Sequence, residues 1–162
     1  VEIEEECLKI LALHQPVALD LRFVVAVLKL NNDLERIADL AASIGDQVEP
    51  LAADGDAPYP IDLVPMARNA QSMLRQVFQA FVDRVPEAAR RVCLADDGVD
   101  SIHRDVYARV KRLCRDQPQQ ATTLIHLLSV SRYLERIADL ATNIAEDVIY
   151  MTKGDIIRHR RG

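Results

Sequence analysis

Two carboxylates four residues apart occur twice in this chain inside the same eight letters. "LERIADLA" spans Leu34 to Ala41 and returns at Leu134 to Ala141, so Glu35 and Asp39 of the first copy are matched by Glu135 and Asp139 of the second. Residues four apart on a helix are surface neighbours, and a like-charge pair at that spacing costs about 0.2–0.5 kcal/mol. Clustered oxygen ligands one helical turn apart are what hard cations bind, which gives a repulsive pair a reason to exist. The bland alternative is a solvated acidic face partly neutralised by Arg36 and Arg136. That alternative explains a single E-xxx-D well, and the repetition is what argues against it.

A second acidic group stands in "ADDGVDSIH", where Asp97 and Asp100 are three apart and Asp96 and His103 are possible extra ligands, although such a histidine is more often simply a surface residue. If the segments opened by Pro86 and Pro118 form an antiparallel hairpin turning near Gln117, Asp100 and Asp97 lie 17 and 20 residues before the turn. Glu135 and Asp139 then lie 18 and 22 residues after it. Residues equally far from a turn lie at equal height. The expected site is therefore a level quartet of Asp97, Asp100, Glu135 and Asp139. In the first copy the residues level with Glu35 and Asp39 would precede Val1, so that site is expected to be incomplete.

The elements that must hold these residues are helices. With about 100° per residue, Ile37, Leu40, Ala41, Ile44 and Val48 share a stripe with Leu34, while Glu35, Asp39 and Asp46 fall on the far side; Glu135, Asp139 and Glu146 repeat this opposite Leu134, Ile137, Leu140, Ile144 and Val148. Prolines and glycines punctuate the rest. Five helices are expected: from the start to about His14, from Val17 to Glu49, from Ile61 to Arg84 with Pro65 in its first turn, from Pro86 to Arg115 with Gly98 as its weak point, and from Pro118 to Lys153 with Gly154 as C-terminal cap. "PLAADGDAPYP" reads as a loop. The duplication divides the chain into an incomplete first repeat at 1–50, a complete three-helix repeat at 61–154 and a basic tail at 155–162.

Composition excludes several classes of function. A net charge of −5 argues against general nucleic-acid binding, which needs a basic surface to displace counterions. Cys7, Cys93 and Cys114 are odd in number and form no CxxC, so neither a disulfide framework nor a zinc knuckle is indicated and a reducing cytoplasm is the simplest home. No apolar run reaches the roughly 18–20 residues of a membrane span, and "VEIEEECLKI" is acidic where a signal peptide would be basic. His14 and His126 read as structural. Nothing resembles a glycine-rich phosphate loop or a nucleophilic triad. A ferritin-like di-metal enzyme would need Glu-x-x-His on two helices, and the chain has only Asp100 with His103. A metal-free helical scaffold with a solubilising acidic face is the other alternative.

"NNDLERIADLAASIGD", "YLERIADLATNIAEDVIYMTKGD" and "EIEEECLKILALHQPVALDLR" resemble the PhoU family of bacterial phosphate-signalling regulators. The resemblance implies an all-α fold of antiparallel three-helix bundles in tandem, each with an E-xxx-D or D-xxx-D motif, here Glu35 with Asp39 and Glu135 with Asp139, and with Asp97 and Asp100 as the acidic positions of the preceding helix. It implies bound metal, iron or zinc. It further implies a cytoplasmic, non-enzymatic negative regulator of the phosphate-starvation response, coupling the ATPase component of a phosphate ABC transporter to a sensor histidine kinase and touching the membrane only through those partners. The front of the family's pattern has no counterpart here, and the apolar stripe of the second helix leads to the expectation of a homo-oligomer, such as a homodimer.

Overall fold

Prolines open or close nearly every helix, as expected from a residue that lacks an N–H and fixes φ. The structure is a computed structural model and describes residues 2–53 and 59–153. Six α-helices follow in order: α1 Glu2–His14, α2 Ala18–Gly45, α3 Val48–Ala52, α4 Val64–Asp83, α5 Pro86–Asp116 and α6 Ala121–Lys153, the last preceded by a single 3₁₀ turn at Pro118–Gln120. Among the described residues there is no strand. The fold is all-α.

α4, α5 and α6 form an up-down-up bundle. Its core joins Met66, Met73 and Val77 of α4 to Val92 and Val99 of α5 and to Ala138, Ala141, Ile144, Val148 and Ile149 of α6. A second cluster closes the far end with Leu51, Ile61, Val106, Val110, Leu124 and Leu127. α2 lies antiparallel on α6, held by Lys29 Nζ donating to Asp147 Oδ1 at 2.6 Å near one end and by His126 Nδ1 with Gln47 Oε1 at 2.8 Å near the other. Ala26, Phe23, Leu30, Ile37 and Ile44 of α2 pack into the same core. α6 is therefore enclosed by three helices, which is why fifteen of its residues are buried.

The ends of α2 show where local rules yield to packing. Gln15 and Ala18 both take left-handed backbone angles, φ 44° and 49°, a strained conformation for residues with a Cβ, as the chain reverses from α1 into α2. At the start of α2, the Phe23 ring stacks 6.2 Å from Phe81 and receives the Arg84 guanidinium at 4.6 Å, tying it to the end of α4. The far end departs from expectation. α2 stops at Gly45 rather than Glu49, Asp46 and Gln47 turn, and α3 runs through Pro50 to Ala52. Pro50 is tolerated because it lies in the first turn of α3, where its missing N–H has no intrahelical partner to lose. α5 passes through Gly98 unbroken. The expected cap at Gly154 and the basic tail lie outside the described residues.

Candidate metal centre

Where α5 and α6 face each other they present a polar row set in an apolar wall. On α5 the row is Cys93, Asp96, Asp100 and His103; on α6 it is Ser131, Glu135, Asp139, Thr142 and Glu146. All of these spacings are three or four, so each row is one stripe of its helix. The two rows run antiparallel and meet level by level. His103 Nδ1 lies 3.0 Å from Ser131 Oγ, and Asp96, Asp100 and Asp139 each offer a carboxylate oxygen within 4.8 Å of the other two. Among the described residues this is the one group of three metal-ligating side chains so close together.

The close group holds two of the expected quartet, Asp100 and Asp139, together with Asp96, which the sequence offered as an extra ligand. Asp97 is exposed and outside the cluster, and Asp96 is inside it at 6% exposure. The cause is the register of α5: Val92, Val99 and Val106 are buried, Asp96 falls between the first two on that stripe, and Asp97 is rotated about 100° further round. Of the other sequence-derived candidates, Asp100 and Asp139 are in the cluster, and Glu135 is beside it, close enough for both their charges to act on its carboxyl. Glu35 and Asp39 on α2 are exposed and belong to no such cluster among the described residues.

The electrostatics favour a cation. Burial, reinforced by the charges of Asp139 and Asp100, raises Glu135 above the ordinary carboxylate range, and Arg136 and Arg132 offset this only in part. Burial likewise outweighs the pull of Asp100 and holds the His103 imidazole below its usual value. Ser131 spends its own hydrogen on Leu128 O at 2.9 Å. Its oxygen therefore accepts from His103 Nδ1, which leaves the lone pair of the neutral ring on Nε2. The Cys93 thiol is pushed up to about 11, by burial first and then by the carboxylates of Glu146 and Asp96.

On its other side Asp139 lines a cavity of about 450 Å³ between α2 and α6, together with Arg36, Asp39, Leu40, Arg136, Leu140 and Asn143. Three of these pairs are repeat equivalents one hundred residues apart: Arg36 and Arg136, Asp39 and Asp139, Leu40 and Leu140. Two antiparallel copies of one sequence bring equivalent residues together only at the level of a two-fold axis. The octets are therefore the hinge of an internal two-fold, and the cavity lies on it.

The family model described as the PhoU domain matches residues 1–48 and 63–148. The chain belongs to the PhoU family. It is 32% identical over 154 residues, 94% of this chain and 70% of the relative, to a phosphate-specific transport system accessory protein PhoU homolog of Clostridium acetobutylicum. It is 35% identical to phosphate-specific transport system accessory protein PhoU homolog 1 from Methanothermobacter thermautotrophicus, over 92% of this chain and 68% of that one. A Pseudomonas aeruginosa homolog is spanned over 65% of its length. The crystal structure of PhoU from that organism superposes with a TM-score of 0.91 at 32% identity, covering 95% of this chain and 74% of the other. The phosphate transport system regulatory protein PhoU from Streptococcus pneumoniae superposes with a TM-score of 0.82 at 26% identity, over 96% and 72%.

The α5–α6 residues fit the metal that a PhoU fold implies. Asp96, Asp100 and Asp139 are close enough to share an ion, one of them is buried, and the adjacent Glu135 carboxyl is raised by burial first and then by the charges of Asp139 and Asp100. When bound, a divalent cation would supply the positive charge that lets these groups remain ionised together. Glu146 and Cys93 complete the row, and the sequence assigned them no ligand role. The available signal was spacing: Cys93 stands three residues before Asp96, and Glu146 seven after Asp139, two turns along the same stripe.

Proposed function

We propose that this PhoU-family chain is a cytoplasmic accessory regulator of a phosphate-specific ABC transporter, which couples the transporter's ATPase to a sensor histidine kinase and holds down the phosphate-starvation response, and that it is a regulator rather than an enzyme. The observation that supports it most is the antiparallel pairing of the two octets on α2 and α6 within a fold matching PhoU structures at TM-scores of 0.91 and 0.82. The relatives are named as accessory proteins of phosphate-specific transport. Among the described residues no helix is long and apolar enough to cross a membrane. Long amphipathic helices suit docking onto partner helices.

The same reading gives the α5–α6 cluster a metal ion, iron or zinc, held by Asp96, Asp100 and Asp139 with Glu135 at its edge. Bound metal would tie α5 to α6 and set the face that a partner reads. The apolar residues Ile3, Leu8, Leu13 and Leu19 remain exposed on α1 and the start of α2. A second copy of the chain covering them would account for the face.

The test is complementation. A bacterium deleted for its own PhoU and carrying a phosphate-starvation promoter reporter should regain repression in high phosphate when this chain, or its full-length parent, is expressed. Asp100→Asn/Asp139→Asn should regain it less. Reporter activity that stays fully derepressed with folded wild-type protein present would refute the regulatory reading. Repression equal in wild type and double variant would remove the metal from it.

A further inference from the structure

The second half of α5 carries a charge opposite to that of the whole molecule. The chain has a net charge of −5, yet from Arg104 to Arg115 there are five cations and Asp105 is the single carboxylate. Four of the cations, Arg104, Lys111, Arg112 and Arg115, fall within an arc of roughly 100°. All four are exposed, whereas Val106 and Val110, on the opposite side of the helix, are buried in the cluster that holds Leu124 and Leu127. The arc therefore faces out of the bundle. Ala108 stands near its middle and Tyr107, 57% exposed, at its edge.

Two structural uses of such residues do not account for this face. Cations complement the dipole at a helix C-terminus, but the effect falls off within the last turn. α5 ends at Asp116, so Arg104 and Lys111 lie beyond its reach. Neither does pairing hold them, because among the described residues none of the four enters an ion pair, with Asp105 or any other carboxylate. Arg104 donates from Nε to the backbone oxygen of Asp100 at 3.3 Å, which leaves the rest of its guanidinium fork unspent. Lys111 and Arg112 each stand about one turn from Arg115, like-charge spacings that cost about 0.2–0.5 kcal/mol each.

We propose that this face of α5 docks an acidic helical segment of a partner protein. The proposal deepens the regulatory reading above and rests on it: the segment belongs to the transporter ATPase or to the kinase. Three of the four cations are arginine and a tyrosine stands beside them, the two residue types that protein interfaces favour, whereas lysine is depleted there. A guanidinium grips a carboxylate through two parallel hydrogen bonds. The face is roughly 16 Å long, three helical turns, and the small side chain of Ala108 lets a partner helix lie close along it. A bilayer would be met by charge alone and gains nothing from this geometry.

Two charge reversals of equal size separate this face from charge in general. Arg104→Glu/Lys111→Glu alters it, and Arg68→Glu/Arg75→Glu alters exposed arginines of α4. Each protein, shown to be folded by circular dichroism, is titrated calorimetrically with the purified transporter ATPase and with the purified cytoplasmic part of the kinase, at low and at physiological salt, and is expressed in the reporter strain. The proposal expects wild type to bind at least one of the two, more weakly as salt rises. It expects affinity to fall about tenfold or more in Arg104→Glu/Lys111→Glu, to hold in Arg68→Glu/Arg75→Glu, and repression to follow the same order. Equal loss in both variants, or loss in neither, would overturn the docking face. Wild type that restores repression yet binds neither protein would also overturn it, and leave the regulatory reading standing. If that protein instead pellets with vesicles of phosphatidylcholine and phosphatidylglycerol, and Arg104→Glu/Lys111→Glu does not, the face belongs to a lipid surface and the acidic protein segment is wrong. Wild type that restores no repression would remove the regulatory reading and this face with it. Should the reversal at Arg104 and Lys111 fail to fold, Arg104→Ala/Lys111→Ala against Arg68→Ala/Arg75→Ala makes the same comparison.

Discussion

Glu135 is opposed in its ionisation by burial and by the carboxylates of Asp139 and Asp100, so in the metal-free protein its carboxyl titrates above the unfolded value of 4.5. An acid whose folded pKa is raised costs stability wherever it is ionised in both states. That cost is present at neutral pH and is recovered as pH falls through the folded pKa toward the unfolded one. Glu135→Gln should therefore stabilise the metal-free protein at pH 7 by about 0.5 kcal/mol, the scale of a solvent-screened like-charge pair, and by nothing near pH 4. Urea denaturation at the two pH values checks this. With saturating zinc the sign should reverse, because a ligand held only by the folded state adds about 2.7 kcal/mol at one hundred times its Kd, and the variant holds it less well. The acidic character of this site was legible from the octet and from "ADDGVD". The choice of Asp96 over Asp97 was not, because the hairpin register sets height along α5, and rotation is set by which valines, Val92 and Val99, the core takes in.

α5 spans Pro86 to Asp116 and carries Gly98 near its middle. A Cβ built there meets nothing within 4 Å. Glycine inside a helix costs roughly 0.5–1 kcal/mol relative to alanine, so Gly98→Ala should raise Tm by about 1–4 °C and leave metal content unchanged, as read by calorimetry and plasma mass spectrometry. The turn after α2 makes the opposite prediction. His126 Nδ1 meets Gln47 Oε1 at 2.8 Å in a part-buried contact between that turn and α6. Gln47→Ala should cost about 1–2 kcal/mol in urea midpoint stability, the loss of a hydrogen bond that leaves a part-buried donor unmatched. Helix starts at Pro86 and Pro118 were legible because proline acts locally. The break at Asp46 and Gln47 was masked: Gly45 marks a helix end there, but the apolar stripe continues through Val48, and tertiary contacts such as His126 with Gln47 and the burial of Leu51 hold the short α3 in place.

At the scale of the molecule, one octet has two environments. Leu134 is 7% exposed and Leu34 is 40%, and further along the repeat Val148 is fully buried while Val48 is 62% exposed. Within the octet the sequences are the same, so for Leu34 and Leu134 the difference lies in topology: α6 is covered by α4, α5 and α2, whereas α2 is covered on its α6 side and meets α1 with part of the rest. The duplication was legible in full, but no property of eight identical letters says which copy the chain wraps. This makes a clean experiment, because the side chain and the seven residues that follow it are matched. Leu134→Ala should cost about 2–5 kcal/mol, transfer plus residual cavity, and lower Tm by roughly 5–15 °C. Leu34→Ala should cost less, about 1–2 kcal/mol, since 40% of its surface is already in water. Denaturation of the two variants at low protein concentration measures the asymmetry directly. If instead the two cost the same, α2 must be covered in solution as α6 is here. A concentration-dependent Tm and sedimentation as a dimer would then identify a second copy as the cover, because association adds stability by mass action in a way that an intramolecular contact does not.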